Sequence, residues 1–134
     1  MDIYDYFQHK EKEYRDLSLT PDRGYDSLFA ELGGSKGQRG RIFGNLRLDC
    51  EADVFLAVSE RVSVKGTWFH RDEYGYFFIL DGVDVWGYER DPTHDPALHM
   101  HTTGHEESLE AAEVTFRQVA ELAWKEVSSL EMWN

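Results

Sequence analysis

The sequence predicts an α+β fold in which N-terminal helices precede an antiparallel meander sheet of four to five strands, a histidine-rich loop and a long C-terminal helix. Two observations predict this order. Near both ends of the chain apolar residues recur every three or four positions, which is the helical period. Between about residues 41 and 90 they recur every second position, as in half-buried strands. We expect a single domain, 1–134, because no linker or repeat divides the 134 residues.

Two helices are expected at the N-terminus. Residues 2–17 space aromatic and apolar side chains among charges, as in an amphipathic helix. Thr20-Pro21 offers an N-cap and a first helical residue, which predicts a second, short helix running toward Leu32. Gly33-Gly34 is expected to end that helix.

Four or five strands joined by short turns are expected to follow. Strands are predicted from residues 41 and 54, and a third around residues 67–70 leads into a turn at residues 72–75. Asp81-Gly82 is the signal for a two-residue type I′ hairpin turn. The pairs expected across this hairpin are Leu80 with Val83, Phe78 with Val85, and Phe77 with Trp86.

The C-terminal part is expected to begin with a loop and end with a helix. Residues 90–105 contain two prolines and four histidines, which favours a loop. Thr103 and Glu106 have the spacing of a capping box, and apolar residues recur at helical spacing from Leu109 to Leu130. The long helix should therefore pack its apolar side on the sheet.

Charge and composition exclude several functions. The net charge of −12 opposes a general coating of nucleic acid or anionic membranes. No apolar run is long enough to span a membrane, no signal peptide is seen, and the single cysteine suits a reducing compartment, so a cytoplasmic location is expected. Residues 36–71 are the basic exception, with seven basic and four acidic side chains. Arg39, Arg41, Arg47 and Lys65 in this block fit either phosphate contacts or a solvated strand face.

Four of the six histidines fall within twelve positions, at His94, His99, His101 and His105. His99 and His101 lie two residues apart, so both rings point the same way in an extended backbone. Converging imidazoles can bind a divalent metal or share acid and base duties around a phosphodiester. Asp91 and Asp95 are candidates to orient a ring. The histidines can equally be helix caps, solvated loop residues or ligands of an adventitious metal.

Glu60 is the second candidate site residue. By alternation it belongs to the apolar face of its strand, where a carboxylate is costly unless it is paired or opens into a cleft. Continuing the same alternation places Trp68 and His70 on the face of Glu60, as candidates to contact a substrate. A bulge near Ser59 would instead return the carboxylate to solvent.

Several of these segments together resemble the TumE-type toxins of toxin–antitoxin modules. They are Gly44-Asn-Leu-Arg-Leu48, Leu56-Ala-Val-Ser-Glu60, the aromatic hairpin, Tyr88-Glu-Arg-Asp-Pro92-Thr-His94 and His99-Met-His101. The resemblance covers roughly residues 40–130. It implies an α+β fold, a ribonucleolytic activity on RNA and an antitoxin partner. The functional set it implies is Glu60, Asp91, His94, His99 and His101.

Three hypotheses follow. The first is a metal-independent ribonuclease in which His94 and either His99 or His101 act as base and acid. Arg41 or Arg90 would stabilise charge on the phosphate, and Glu60 would orient a histidine. The second is a binding protein that holds a divalent transition metal as a clip. Its expected ligands are His94, His99 and His101. The third is a subunit without a site that docks a partner, for example through Trp124, Met132 and Trp133.

Overall fold

The computed structural model describes residues 3–17, 29–33, 38–48, 53–93, 96–102 and 109–131. The elements are α1 (Ile3–Leu17), β1 (Phe29–Gly33), β2 (Arg39–Arg47), β3 (Val54–Lys65), β4 (Trp68–Leu80), β5 (Val83–Arg90), β6 (Leu98–Thr102), β7 (Leu109–Glu110) and α2 (Phe116–Glu131). The strands form one antiparallel sheet in which spatial order follows chain order. The α+β class and the meander are confirmed. Among the described residues the sheet has seven strands and not the predicted four to five, because β1, β6 and β7 join β2 to β5.

The end of the predicted second helix is wrong, because Phe29–Gly33 is strand β1. The remainder of that prediction, residues 18–28, lies outside the described residues. β1 pairs along its whole length with β2, from Phe29 opposite Phe43 to Gly33 opposite Arg39. Pairing with a neighbouring strand therefore decides the structure here and overrides the local helix signals.

The predicted turn at residues 72–75 is also wrong, because β4 runs through it without a break. Arg61 pairs with Glu73 and Val62 with Arg71, so Asp72 is an extra residue that faces no partner. This is a β-bulge, which lets a charged segment stay within a strand.

The type I′ hairpin is confirmed, since Asp81 and Gly82 have φ angles of 52° and 79°. The pair Leu80–Val83 is also confirmed. The next two predicted pairs are wrong, because a second irregularity shifts the register after Ile79 and Asp84. The observed pairs are Phe78 with Trp86 and Phe77 with Gly87.

The predicted histidine loop contains strand β6, and the helix expected from Leu109 begins only at Phe116. Leu109 instead pairs with Met100 as part of β7. The predicted capping box at residues 103–106 lies outside the described residues. A different capping box is present at Thr115, whose hydroxyl accepts a hydrogen bond from the Gln118 N–H at 3.1 Å. The Gln118 side chain accepts one from the Thr115 N–H at 2.9 Å.

Both described helices pack on the same face of the sheet, which we call the helix face. The main cluster there joins α2 and the end of α1 to the sheet through Tyr14, Leu46, Leu48, Val54, Leu56, Val58, Tyr74, Tyr76, Phe78, Phe116, Val119, Ala120, Ala123 and Val127. A smaller cluster joins the start of α1 to it through Ile3, Tyr6, Ile42 and Val62. Neither described helix is long and apolar enough to cross a membrane.

The side opposite the helices is called the open face. It is defined by two rows of paired positions. The first row is Phe43, Ser59, Gly75, Glu89 and His99, and the second is Asn45, Ala57, Phe77, Gly87 and His101. The histidines of β6 therefore lie on the open face.

Candidate metal centre on the open face

Two adjacent strands place three metal-ligating side chains together. His99 and His101 come from β6, and Glu89 is directly opposite His99 in β5. The nitrogen and oxygen ligand atoms of these three residues all lie within 4.8 Å of one another. Two imidazoles and a carboxylate thus converge on one point, and the predicted histidine cluster is confirmed for His99 and His101.

His99 is the buried member of this group, with no exposed side-chain surface. Its Nδ1 lies 3.0 Å from the Pro96 carbonyl oxygen, which can only accept, so Nδ1 carries the hydrogen and donates it. Its Nε2 lies 3.0 Å from Oε2 of Glu89. A carboxylate also only accepts, so a proton or a metal cation has to lie between these two atoms. The carbonyl bond fixes the ring orientation, as it does for metal-binding histidines.

The distances from Glu89 to the two histidines suit a bound transition metal, with His99 Nε2 at 3.0 Å from Oε2. His101 Nε2 is 3.5 Å from the same Glu89 oxygen, and the two imidazole rings are nearly perpendicular at 87°. Ligands at about 2.0–2.2 Å from zinc, at angles between 90° and tetrahedral, lie roughly 3.0–3.5 Å from each other. His101 and Glu89 are partly exposed, so one side of the group is accessible from solvent.

Phe77 and Gly87 support His101 from the neighbouring strands. The Phe77 ring stacks on the His101 imidazole with 6.1 Å between centroids. That position requires glycine at residue 87, because a Cβ there would come within 2.2 Å of the Phe77 ring. The sequence analysis predicted neither Phe77 nor Gly87 as part of a site.

Glu60 does not belong to this site, so the prediction that it orients a histidine is wrong for His99 and His101. Glu60 lies on the helix face, almost fully buried. Its two carboxylate oxygens accept hydrogen bonds from the hydroxyls of Tyr6 in α1 and Tyr76 in β4. The Arg71 guanidinium in turn donates to the Tyr76 hydroxyl at 2.8 Å. Among the described residues Glu60 therefore orients no histidine; its hydrogen bond with Tyr6 holds α1 against the sheet.

The pKa of Tyr6 is raised well above its ordinary value, mainly by burial and secondly by the charge of Glu60. The same two causes, in the same order, raise the pKa of Tyr76. Both hydroxyls consequently keep their protons and remain donors to the carboxylate.

Trp68 and His70 do not share the face of Glu60, which corrects a further prediction. A two-residue turn separates β3 from β4, so Lys65 pairs with Trp68 and Ser63 with His70. Such a turn pairs odd-numbered residues of β3 with even-numbered residues of β4. At the start of β4 the even-numbered residues therefore face the side opposite to Glu60. Both residues lie on the open face, but His70 binds Asp72 at 2.9 Å and Trp68 is 77% exposed.

The remaining predicted residues are distributed around the site. Arg41 and Arg90 line a cavity together with Glu89. Asp91 accepts hydrogen bonds from the backbone N–H and the hydroxyl of Thr93, at 3.0 and 2.6 Å, in the connection between β5 and β6. The structure does not test the predictions for His94, Asp95 and His105, because these residues lie outside the described ranges.

Glu89 is the site residue that the sequence pattern missed. The alternation along β5 could have indicated it, because Glu89 follows the aromatic Tyr88 and therefore faces the opposite side of the sheet. The missing information was the register between β5 and β6, which places it opposite His99.

No protein-family model matches the chain, and no curated protein or solved structure does so either.

Proposed function

We propose that the protein binds a divalent transition metal, such as zinc, through Glu89, His99 and His101. The observation that carries the proposal is the approach of His99 Nε2 to the Glu89 carboxylate at 3.0 Å, with His101 beside them. The residue types fit, because imidazole and carboxylate are common zinc ligands. Glu89 joins the two described histidines of the expected set, and His94 stays a prediction as a further ligand.

The arrangement supports a site with an open coordination position. Three protein ligands leave a fourth tetrahedral position for water or for an oxygen atom of a ligand, as in catalytic zinc sites. The exposed side of Glu89 and His101 gives access to that position. A closed structural clip would need a fourth ligand from the protein itself.

Isothermal titration of the metal-free protein with zinc tests this proposal. We expect one zinc ion per chain, and Glu89→Gln and His101→Ala should each weaken binding at least tenfold because each removes a ligand. His70→Ala is the matched control, since His70 lies on the same face but pairs with Asp72. Unchanged affinity in both ligand variants, or an equal loss in the control, contradicts the proposal.

A ribonuclease resembling the TumE-type toxins is the second candidate. With this candidate we propose a cytoplasmic location, an antitoxin partner and RNA as the substrate. The observation that favours it is that Arg41 and Arg90, expected to contact phosphate, line the same cavity as Glu89. His101 would contact the RNA, because His99 has no exposed side-chain surface. RNA cleavage in EDTA that is lost in His101→Ala supports this candidate, and no cleavage in EDTA contradicts it.

A further inference from the structure

A cavity of about 270 Å³ lies on the open face next to the metal centre. Its lining includes Arg41, Ser59, Arg61, Glu73, Gly75 and Glu89. Ser59 and Gly75 occupy the row between Phe43 and Glu89, and neither of them places a bulky side chain over the sheet. Glu89 thus belongs to both the metal centre and the cavity.

Two arginines face each other at the other side of this cavity. Arg41 in β2 is directly opposite Arg61 in β3. Like charges at paired positions repel and lower stability. The Arg41 guanidinium lies over the Phe43 ring at 4.9 Å, and Arg61 approaches Glu73 at 3.6 Å. Both arginines also belong to the basic block of a chain whose net charge is −12. An anion held between them would offset the repulsion.

The metal centre and the arginine pair are close enough to bind one ligand. Arg61 lies two strands and two residues from Glu89, a backbone separation of roughly 12 Å, and Arg41 lies one strand further, at roughly 16 Å. Arginine side chains and a bound phosphoryl group can bridge these separations. Glu73, Glu89 and Asp91 line the cavity beside Arg41, Arg61 and Arg90, so the formal charges balance and a divalent ion on Glu89 would make the lining net positive.

We propose that the cavity binds the phosphoryl group of a phosphate-containing ligand between the metal on Glu89 and the guanidinium groups of Arg41 and Arg61. The forked N–H donors of arginine match the oxygens of a phosphate. Another oxygen of the same group would take the open position of the metal. This inference rests on the proposed metal site and names the class of ligand, a phosphate-containing molecule, that this site would bind.

Visible spectroscopy of the cobalt(II)-loaded protein tests the inference, because cobalt d–d bands change when a ligand enters the coordination shell. Phenyl phosphate should change the spectrum in a saturable manner. The Arg41→Gln/Arg61→Gln double variant should raise its dissociation constant at least tenfold. Ser59→Leu, which fills the cavity without changing its charge, should weaken binding as well. Arg117→Gln removes an exposed arginine on α2 and should leave the dissociation constant unchanged.

Parallel titrations with inorganic phosphate and with benzoate identify the chemistry that is recognised. Saturation by phosphate alone assigns the site to the free anion, and saturation by both phosphates assigns it to the phosphoryl group. Equal binding of benzoate overturns the phosphoryl assignment. Cobalt uptake is measured separately for every variant. Normal uptake with no spectral response, or a response that the arginine variants leave unchanged, overturns this inference alone. A failure of the native protein to take up cobalt contradicts the metal site as well.

Discussion

Glu60→Ala is expected to lower the free energy of unfolding by about 3–5 kcal/mol. The substitution leaves the hydroxyls of Tyr6 and Tyr76 without their acceptor in the interior. It also leaves the partly buried Arg71 guanidinium without the carboxylate that faces it through Tyr76. An unsatisfied buried donor alone costs about 1–3 kcal/mol, and the lost side-chain volume adds to this. Because Tyr6 is on α1, the loss should be greatest where that helix docks.

Urea denaturation followed by circular dichroism measures this change. Tyr6→Phe removes one donor and should cost about 1–2 kcal/mol. The matched control is Glu73→Ala, a partly exposed acid paired with Arg61, which should cost less than about 1 kcal/mol. Equal losses for Glu60→Ala and the control would show that the buried carboxylate contributes nothing particular to stability.

The same network gives the native protein a defined response to alkaline pH. Tyr6 and Tyr76 have a raised pKa in the folded state because of burial and the charge of Glu60. Unfolding lets both ionise near pH 10, so their stabilising contribution is complete below that pH and is lost as the pH rises above it. The stability lost above pH 10 should be smaller in Tyr6→Phe, which keeps only one of the two groups.

Zinc is expected to stabilise the fold by about 2.7 kcal/mol when its free concentration is one hundred times the dissociation constant. For a chain of this length that corresponds to a rise in Tm of roughly 8–10 °C. The reason is that Glu89, His99 and His101 converge only when β5 and β6 are paired, so the folded chain binds the ion much more tightly than the unfolded one. Differential scanning calorimetry with added zinc and with EDTA measures the difference.

His101→Ala separates the effect of the ion from the stability of the apoprotein. His101 is partly exposed, so its removal should change the Tm in EDTA little but abolish most of the rise with zinc. His99→Ala should lower the Tm in EDTA too, because it leaves a cavity at a fully buried position. His70→Ala should keep the full zinc response. A rise in Tm that is equal in all three variants would place the stabilising ion elsewhere.

The fold class was predictable because local periodicity determines it. Alternating residues identified β2 to β5, and Asp81-Gly82 identified its turn, since two positive φ angles are needed there. The strand β6 was missed because the prolines and histidines of its segment indicated a loop. The strand β7 was missed because the apolar spacing from Leu109 indicated a helix. Their structure comes from pairing with β5 and with each other. Such pairing depends on residues far away in the chain.

The site was predictable only in part, for a related reason. Their spacing predicted that the His99 and His101 rings point the same way in an extended backbone, and alternation predicted that Glu60 lies on the apolar face of its strand. The rest of the site depends on how the strands pair and on how α1 docks on the sheet. The two-residue turn before Trp68 changed the parity that would have joined it to Glu60. The pairing of β5 with β6 brought Glu89 to His99, and the docking of α1 brought Tyr6 to Glu60 across 54 positions.

The central claim is that Glu89, His99 and His101 form one metal site on the open face. Anomalous diffraction from crystals of the zinc-loaded protein, collected on both sides of the zinc absorption edge, tests it most directly. The account predicts one anomalous peak at about 2.0–2.2 Å from Nε2 of both histidines and from a carboxylate oxygen of Glu89. A zinc peak bound by other residues, with these three side chains unligated, would contradict it.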